Sequence, residues 1–570
     1  MYTASTALLE ALDEAGMSFI FANLGSDHPG LVEAMAEARA SGRRVPSLIT
    51  CPNEMVALSA AHGHAQTSGQ PQCVLVHVEC GTQALAGAVH NAAKGRVPVL
   101  ILAGASPYTQ EGELRGSRNE FIQWIQDVFD QRGLVRGYMR YDNELRSGRN
   151  IKQMVHRALQ FACSEPRGPV YLMAAREVLE EEVAPVAMDL AAWPPIAGAA
   201  LAPRDAAGLA AALVAARQPL VVTSYLGRRP EAVRQLVRLC GRLGMGVLDS
   251  VPNYVNFPAD DPLYLGCQWN EPVQNPALAE ADLVLVLDSD VPWIPTVSRP
   301  RADARIFHID TDPLKQQMPL WYIGAQSMFR ADAATALEQL NAALDGLAID
   351  TAAASARKAA HRARHAARRA ALHAAEQPDA AVITPEYLTA CLRARADEKT
   401  IAIVEGISNY KTIIDHMMST RPASLFTSGG GSLGWNGGAA IGARLAHPDS
   451  TVMALCGDGS YMFSVPSSVH WMARQYDTPF LQVVYNNRGW KSPKLSTLAV
   501  HPAGYASRAN EIGVSFDPPP DYAAIAAAAG GALALTVKRP EELEAALDAA
   551  LHAVRVERRA AVVDVWLPHL

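Results

Sequence analysis

Val452-Met453-Ala454-Leu455-Cys456-Gly457-Asp458-Gly459-Ser460 is an unbroken apolar run that stops on an acid between two glycines. Such a run reads as a strand buried on both faces, the pattern of a parallel sheet covered by helices. Asp458 then falls at the carboxyl end of the strand, where the glycines let backbone approach a ligand. A helix-length segment later, the largely apolar stretch Phe480 to Tyr485 runs into Asn486-Asn487-Arg488-Gly489. Adjacent strand ends would bring the Asp458 carboxylate, the Asn487 amide oxygen and the Gly489 carbonyl around one hard cation, with phosphate oxygens and water completing an octahedron. Either motif alone reads as a turn or a strand exit; joined by a helix, they are far more specific.

The chain has 570 residues, too many for one core, which sets a prior of three domains. With 49% hydrophobic and 19% charged residues and a net charge of -7, it reads as a soluble globular protein with no nucleic-acid or membrane partner. No basic-then-apolar leader is evident near the start, and runs such as Val97 to Ala105 are too short to span a bilayer, so the expected location is cytoplasmic. The eight cysteines lie scattered without a CxxC pair, which favours reduced thiols over disulfides or a zinc site.

Apolar runs recur at Phe19 to Ala22, Ser47 to Thr50, Cys73 to Val78, Val97 to Gly104 and Val170 to Ala174, separated by helical stretches. A second set lies at Leu220 to Val222, Val247-Leu248, Leu283 to Leu287 and Ile306 to Ile309, and a third at Ile401 to Val404, Val452 to Leu455, Phe480 to Tyr485 and Ala561 to Val565. The alternation predicts an α/β chain of three doubly wound parallel-sheet domains, over 1–185, 200–345 and 383–570. Residues 346–382, rich in Ala, Arg and His, read as an exposed, solvated linker helix.

With these motifs in place, the chain resembles the thiamine diphosphate enzymes, the superfamily of acetolactate synthase, benzoylformate and pyruvate decarboxylases, benzaldehyde lyase and 2-hydroxyacyl-CoA lyase. The resemblance runs nearly the whole length and implies a pyrimidine-binding, a central and a diphosphate-binding domain, in that order. It implies thiamine diphosphate and Mg2+ as cofactors, with Gly457, Asp458, Gly459 and Ser460 at the diphosphate and Asp458, Asn487 and Gly489 on the metal. Asn487 is preferred over Asn486 because Gly489 then follows it by two residues, as in the family. Glu54, which follows a strand and opens an apolar helix, matches the glutamate that activates the cofactor's aminopyrimidine.

In Thr427 to Gly434 the resemblance makes Leu433 the apolar wedge that bends the cofactor and gives the Gly431 carbonyl its exocyclic amine. Ser408 and Asn409 match the loop that donates to the diphosphate; Ser408 also reads as a simple helix cap. Gly429 to Gly434 fits GxGxxG as well, which keeps a nicotinamide-dependent enzyme as a competing reading.

On the substrate side, Ser26 matches a serine of benzoylformate decarboxylase, and His77 matches the histidine which that enzyme places beside the thiazolium. An imidazole titrating near neutrality suits proton transfer. Gln83, Gln123, Gln126 and His28 are further candidates to face the pocket. Residues 490–518 read as a loop-rich lid that excludes water on closing.

The reading is thus a lyase or transferase that makes or breaks the carbon-carbon bond next to a carbonyl, first a 2-oxoacid decarboxylase or carboligase, acetolactate synthase-like. The alternatives are a 2-hydroxyacyl-CoA lyase and a non-catalytic cofactor-binding relative. Expected substrates are a small 2-oxoacid, an aldehyde or a 2-hydroxyacyl-CoA. The resemblance also implies a homodimer or homotetramer. It admits FAD in the central domain, which no phosphate loop there supports; Arg228-Arg229 could grip a nucleotide or stand solvated.

Overall fold

The computed structural model describes residues 1–510 and 512–569, with the side chain of Ala86 left aside; Glu511, inside the expected lid, lies outside the described residues. Strands β1 (Phe19–Ala22), β2 (Ser47–Thr50), β3 (Gln72–Val76), β4 (Val99–Ala105), β5 (Tyr141–Leu145) and β6 (Val170–Ala175) form a parallel sheet in the order β2-β1-β3-β4-β6-β5. A second parallel sheet comprises β7 (Pro219–Thr223), β8 (Gly246–Ser250), β9 (Tyr264–Gln268), β10 (Leu283–Leu287), β11 (Arg305–Asp310) and β12 (Ser327–Arg330), ordered β12-β11-β10-β7-β8-β9. The third contains β13 (Thr400–Glu405), β14 (Leu425–Thr427), β15 (Thr451–Gly457), β16 (Leu481–Asn486), β17 (Leu533–Val537) and β18 (Ala561–Trp566), ordered β14-β13-β15-β16-β18-β17.

The first and third sheets thus share one strand order, and each sheet reverses its winding beside its first strand. The carboxyl ends of β1 and β3, β7 and β10, and β13 and β15 flank the three switch points, where open α/β sheets bind ligands. The first and third domains meet where the helix Glu54–Ser68 crosses the helix Trp435–Ala446. A Cβ on Gly63 would stand 2.3 Å from the Ala439 carbonyl oxygen and one on Gly442 1.9 Å from that of Ala60, so only glycine permits this approach.

Four expectations change. His77 follows strand β3 rather than lying within it, and precedes the helix Val78–Ala84. The linker helix, Thr351–Ala375, is docked rather than solvated along its basic face: Arg368 pairs with Asp415 at 2.6 Å, Arg364 with Glu280 at 2.6 Å, and Arg357 donates to the Leu243 carbonyl. The segment 490–518 holds the helices Lys491–Val500 and Tyr505–Ala509, so it is not predominantly loop. Arg228, finally, is neither solvated nor available to a nucleotide: it is buried against Asp288 at 3.1 Å and Glu165 at 3.6 Å. All eight cysteines are free, and no helix among the described residues is long and apolar enough to cross a membrane.

Candidate active site

At the third switch point lies a cavity of about 320 Å3. Its walls include Gly457, Asp458, Gly459, Ser460 and Gly489 from the strand ends, and Ser408, Gly431 and Leu433 from the neighbouring loops. The Asp458 carboxylate is held in place by the N–H of Gly459 on Oδ1 at 2.8 Å and that of Gly489 on Oδ2 at 2.9 Å. Burial nevertheless pushes its carboxyl up to about 6. Asn487 lies two residues before Gly489; its side-chain Oδ1 is buried and has no hydrogen-bond partner. Asn486 is committed elsewhere, donating to Asp564 Oδ1 at 2.9 Å while its own Oδ1 accepts from the Arg488 N–H.

Asn487 itself does not line the cavity, but a buried carboxylate bonded to the Gly489 N–H and an orphaned amide oxygen two residues earlier in the chain make a hard-oxygen donor set, and a bound Mg2+ would offset the burial of both groups. The residues present therefore fit a metal-bound diphosphate. Ser408 is exposed toward the cavity; the helix Tyr410–Met417 begins at Asn409 without a side-chain cap, so Ser408 does not serve as one. Asn409 is buried and does not line the cavity. Trp490 and Lys491, the first residues of the expected lid, complete one wall.

The loop Gly429 to Gly434 is not a dinucleotide cradle, because several of its N–H groups are already bonded within the protein. Gly431 donates to His90 Nε2, Ser432 to Asn91 Oδ1, and Gly434 to Glu405 Oε1 at 2.7 Å. Glu405 Oε2 also accepts from the Asn436 N–H at 2.8 Å, so this carboxyl occupies the N-terminus of the helix Trp435–Ala446 where a pyrophosphate would sit. Glu405 ends β13, and its carbonyl accepts from Ser460 Oγ at 3.1 Å. It therefore ties the wedge loop to the strand-end loops. Sequence reading passed over it, although a carboxyl closing an apolar strand was a usable signal.

Glu54, Ser26 and His77 do not line this cavity; they gather at the first switch point. Glu54 opens its helix behind the Asn53 cap, and its Oε1 accepts from Asn23 Nδ2 at 2.7 Å. His77 Nδ1 meets Asp27 Oδ1 at 2.5 Å and His77 Nε2 meets Gln126 Oε1 at 3.1 Å. Asp27 Oδ2 also accepts from the Val78 N–H at 3.1 Å. The hydrogen bond to Asp27 raises the His77 pKa above 6.5 against the opposing effect of burial. Burial is the largest influence on Asp27 and works to raise it, but the bond from His77, the charges of His28 and His77 and the Val78 N–H together hold that carboxyl below its usual value. The Ser26 Oγ is buried without a partner. Of the further candidates Gln126 reaches His77, whereas Gln123 accepts from the Asn119 N–H, His28 from the Gly25 N–H, and Gln83 donates to Glu79. Asp27 is the residue that sequence reading missed, since Ser26 beside it matched a known role.

The central switch point does not fit FAD. Tyr225 donates to Asp310 Oδ2 and Lys315 pairs with Asp310 and, at 2.9 Å, with Asp290, which Arg96 holds with both guanidinium nitrogens. The opening left beside Arg96, Asp290 and Lys315 is about 40 Å3, the scale of a water molecule.

Three doubly wound parallel sheets, the third with a buried carboxylate and a cavity at its switch point, define an α/β protein with a ligand site at its strand ends. Three family models match in the same order: the thiamine pyrophosphate enzyme N-terminal TPP binding domain over residues 2–134, the central domain over 206–340 and the C-terminal TPP binding domain over 406–565. This chain belongs to the thiamine pyrophosphate enzyme family. It is 27% identical to a probable 2-ketoarginine decarboxylase of Pseudomonas aeruginosa, over 95% of this chain and 90% of that protein. It is 26% identical to a benzoylformate decarboxylase of the same organism, over 97% and 98%. A thiamine diphosphate-dependent 4-hydroxybenzoylformate decarboxylase of Rhodococcus jostii RHA1 shares the fold with a TM-score of 0.79 at 21% identity, over 100% of this chain and 99% of that one.

Proposed function

We propose that this chain is a Mg2+-dependent 2-oxoacid decarboxylase with carboligase capacity, a lyase in its main direction. The observation that carries the reading is the buried, unpartnered Asn487 Oδ1, two residues before the Gly489 whose N–H bonds the Asp458 carboxylate at the third switch point. Asp458, Asn487 and the Gly489 carbonyl would hold Mg2+, and the Ser408 hydroxyl and the Ser460 backbone N–H, in the first turn of its helix, would donate to the diphosphate. Leu433 would press on the cofactor from one side. Bound thiamine diphosphate supplies an electron sink for the pair released when the bond beside the carbonyl breaks.

The protein's remaining work is proton handling and exclusion of water. Glu54 presents a carboxyl for the pyrimidine ring, positioned by Asn23. His77, kept protonated by Asp27, delivers a proton from Nε2, the nitrogen that Gln126 accepts from. Trp490 and the helix that follows shield the cavity mouth. Because Glu54 and His77 stand apart from the diphosphate cavity, two copies of the chain would complete each other's sites in a homodimer.

The test is titration of metal-stripped protein with thiamine diphosphate and Mg2+, followed by pyruvate, benzoylformate, 2-ketoarginine and a 2-hydroxyacyl-CoA. Metal-dependent binding with carbon dioxide release from a 2-oxoacid is the expected result. Aldehyde plus formyl-CoA from the last substrate, without decarboxylation, would replace this reading with the lyase.

A further inference from the structure

A second cavity, of about 420 Å3, lies between the central domain, the linker helix and the third domain. It is separate from the ion-pair cluster that fills the central switch point and from the diphosphate cavity. Trp269 and Trp293 give it aromatic walls, Val251 and Val297 aliphatic ones. Its charged rim is self-compensated: Lys411 and Arg368 both bond to Asp415, and Lys411 also faces Glu271 at 3.8 Å. A net ionic ligand therefore finds no unpaired counter-charge there.

One side chain of its wall carries an unsatisfied polar atom. Gln268, 8% exposed, lines the cavity, and its Nε2 donates to the Pro292 carbonyl at 2.6 Å. That bond fixes which end of the amide is the acceptor, and Gln268 Oε1 is buried with no partner. An orphaned buried acceptor costs free energy that a ligand donor recovers. The cavity is of ligand size and largely apolar, with one convergent acceptor.

We infer that this cavity is a binding site for a neutral, planar bicyclic molecule carrying one N–H or O–H donor, taken up against the tryptophans with its donor on Gln268 Oε1. Its occupancy bears on the diphosphate loop: Lys411 stands in the cavity wall three residues after Ser408, and the helix Tyr410–Met417 follows the loop directly. The site therefore serves an effector rather than the substrate. Binding itself does not depend on the catalytic assignment above.

Indole is the probe, and indene, which has the same shape but a CH2 in place of the N–H, is the control. Calorimetric titration of cofactor-loaded protein should show indole binding once per chain and indene at least about tenfold more weakly. Gln268→Leu should equalise the two, and Val297→Trp should abolish both by filling the cavity. Saturating indole should also shift the apparent thiamine diphosphate Kd at least about threefold, and the shift should vanish in Val297→Trp. Equal affinity for the two probes in the unaltered protein, binding that survives Val297→Trp, or no binding at millimolar indole would overturn the site. An unmoved cofactor Kd with indole bound would overturn its effector role.

Discussion

Asn486 and Asp564 are joined by a 2.9 Å hydrogen bond from Nδ2 to Oδ1, and this bond divides the labour of two adjacent asparagines. Asn486 is a structural residue between β16 and β18, while Asn487 keeps a buried Oδ1 for a ligand. Asn487→Ala should therefore weaken Mg2+-dependent cofactor binding by at least about 100-fold, the upper range for losing even an outer partner of a metal site. Asn486→Ala should leave binding per folded chain nearly unchanged but lower stability by about 1–3 kcal/mol, because Asp564 loses a buried donor. Calorimetry with thiamine diphosphate and Mg2+, beside urea unfolding, separates the two; equal losses of affinity would assign the metal to both.

Glu54 accepts from Asn23 in a half-buried setting at the first switch point, away from the diphosphate cavity. Glu54→Gln keeps the shape and the acceptor but loses the carboxyl. It should retain the fold and most cofactor binding while slowing hydrogen-deuterium exchange at the thiazolium carbon by at least about 10²-fold. Undiminished exchange, read by NMR after acid quench, would remove Glu54 from the mechanism.

The strands that sequence reading located are the interior ones together with one edge strand, β2. β10, Leu283–Leu287, and β13, Thr400–Glu405, are buried at every position and read as continuous apolar runs. The strands it overlooked, β5, β9, β12, β14 and β17, stand at sheet edges, and β12 and β17 alternate between partly buried and exposed residues, which makes them resemble loops. The residues proposed as metal ligands stood out because a glycine-flanked acid and an Asn pair announce themselves locally. Asp27 did not, because its role comes from His77, 50 residues away; Glu405 closes an apolar strand, but its role depends on Gly434, 29 residues away.

The Asp27–His77 pair sets a pH window. The folded-state pKa of His77 lies above 6.5, so its contribution to stability is complete below 6.5 and is lost as pH rises through that raised value. Asp27 lies below 3.8, so its contribution is present above 3.8 and is lost as pH falls through the lowered value. Asp27→Asn should let burial dominate at His77 and lower its pKa, moving the alkaline limb of the kcat/KM profile to lower pH. The rate at pH 7.5 should fall about 10²-fold, the scale of one lost proton transfer. A profile that keeps its limb, with only the height reduced, would make Asp27 a packing residue.

Glu405 gives a prediction of opposite sign. Burial pushes its carboxyl from 4.5 up to about 8, so between those values the folded chain holds a proton that the unfolded chain releases. Its contribution to stability therefore declines as pH rises from about 4.5 to 8, by the proton difference between the two states. Glu405→Gln replaces the titrating carboxyl with a neutral group of the same size and should flatten that part of the stability profile, at a pH-independent cost of about 1–3 kcal/mol because its one oxygen accepts from only one of the two N–H groups. Glu405→Ala instead strips the acceptors from the Gly434 and Asn436 N–H groups, at about 1–3 kcal/mol for each donor left unpaired. Because those donors open the helix behind Leu433, the alanine variant should also lose cofactor affinity, and glutamine, which keeps one of the two acceptors, should restore part of it. Urea midpoints of the cofactor-loaded protein at intervals from pH 5 to 8, with the thiamine diphosphate Kd at each, test both halves. An unchanged slope in the glutamine variant would show that Glu405 does not carry this proton.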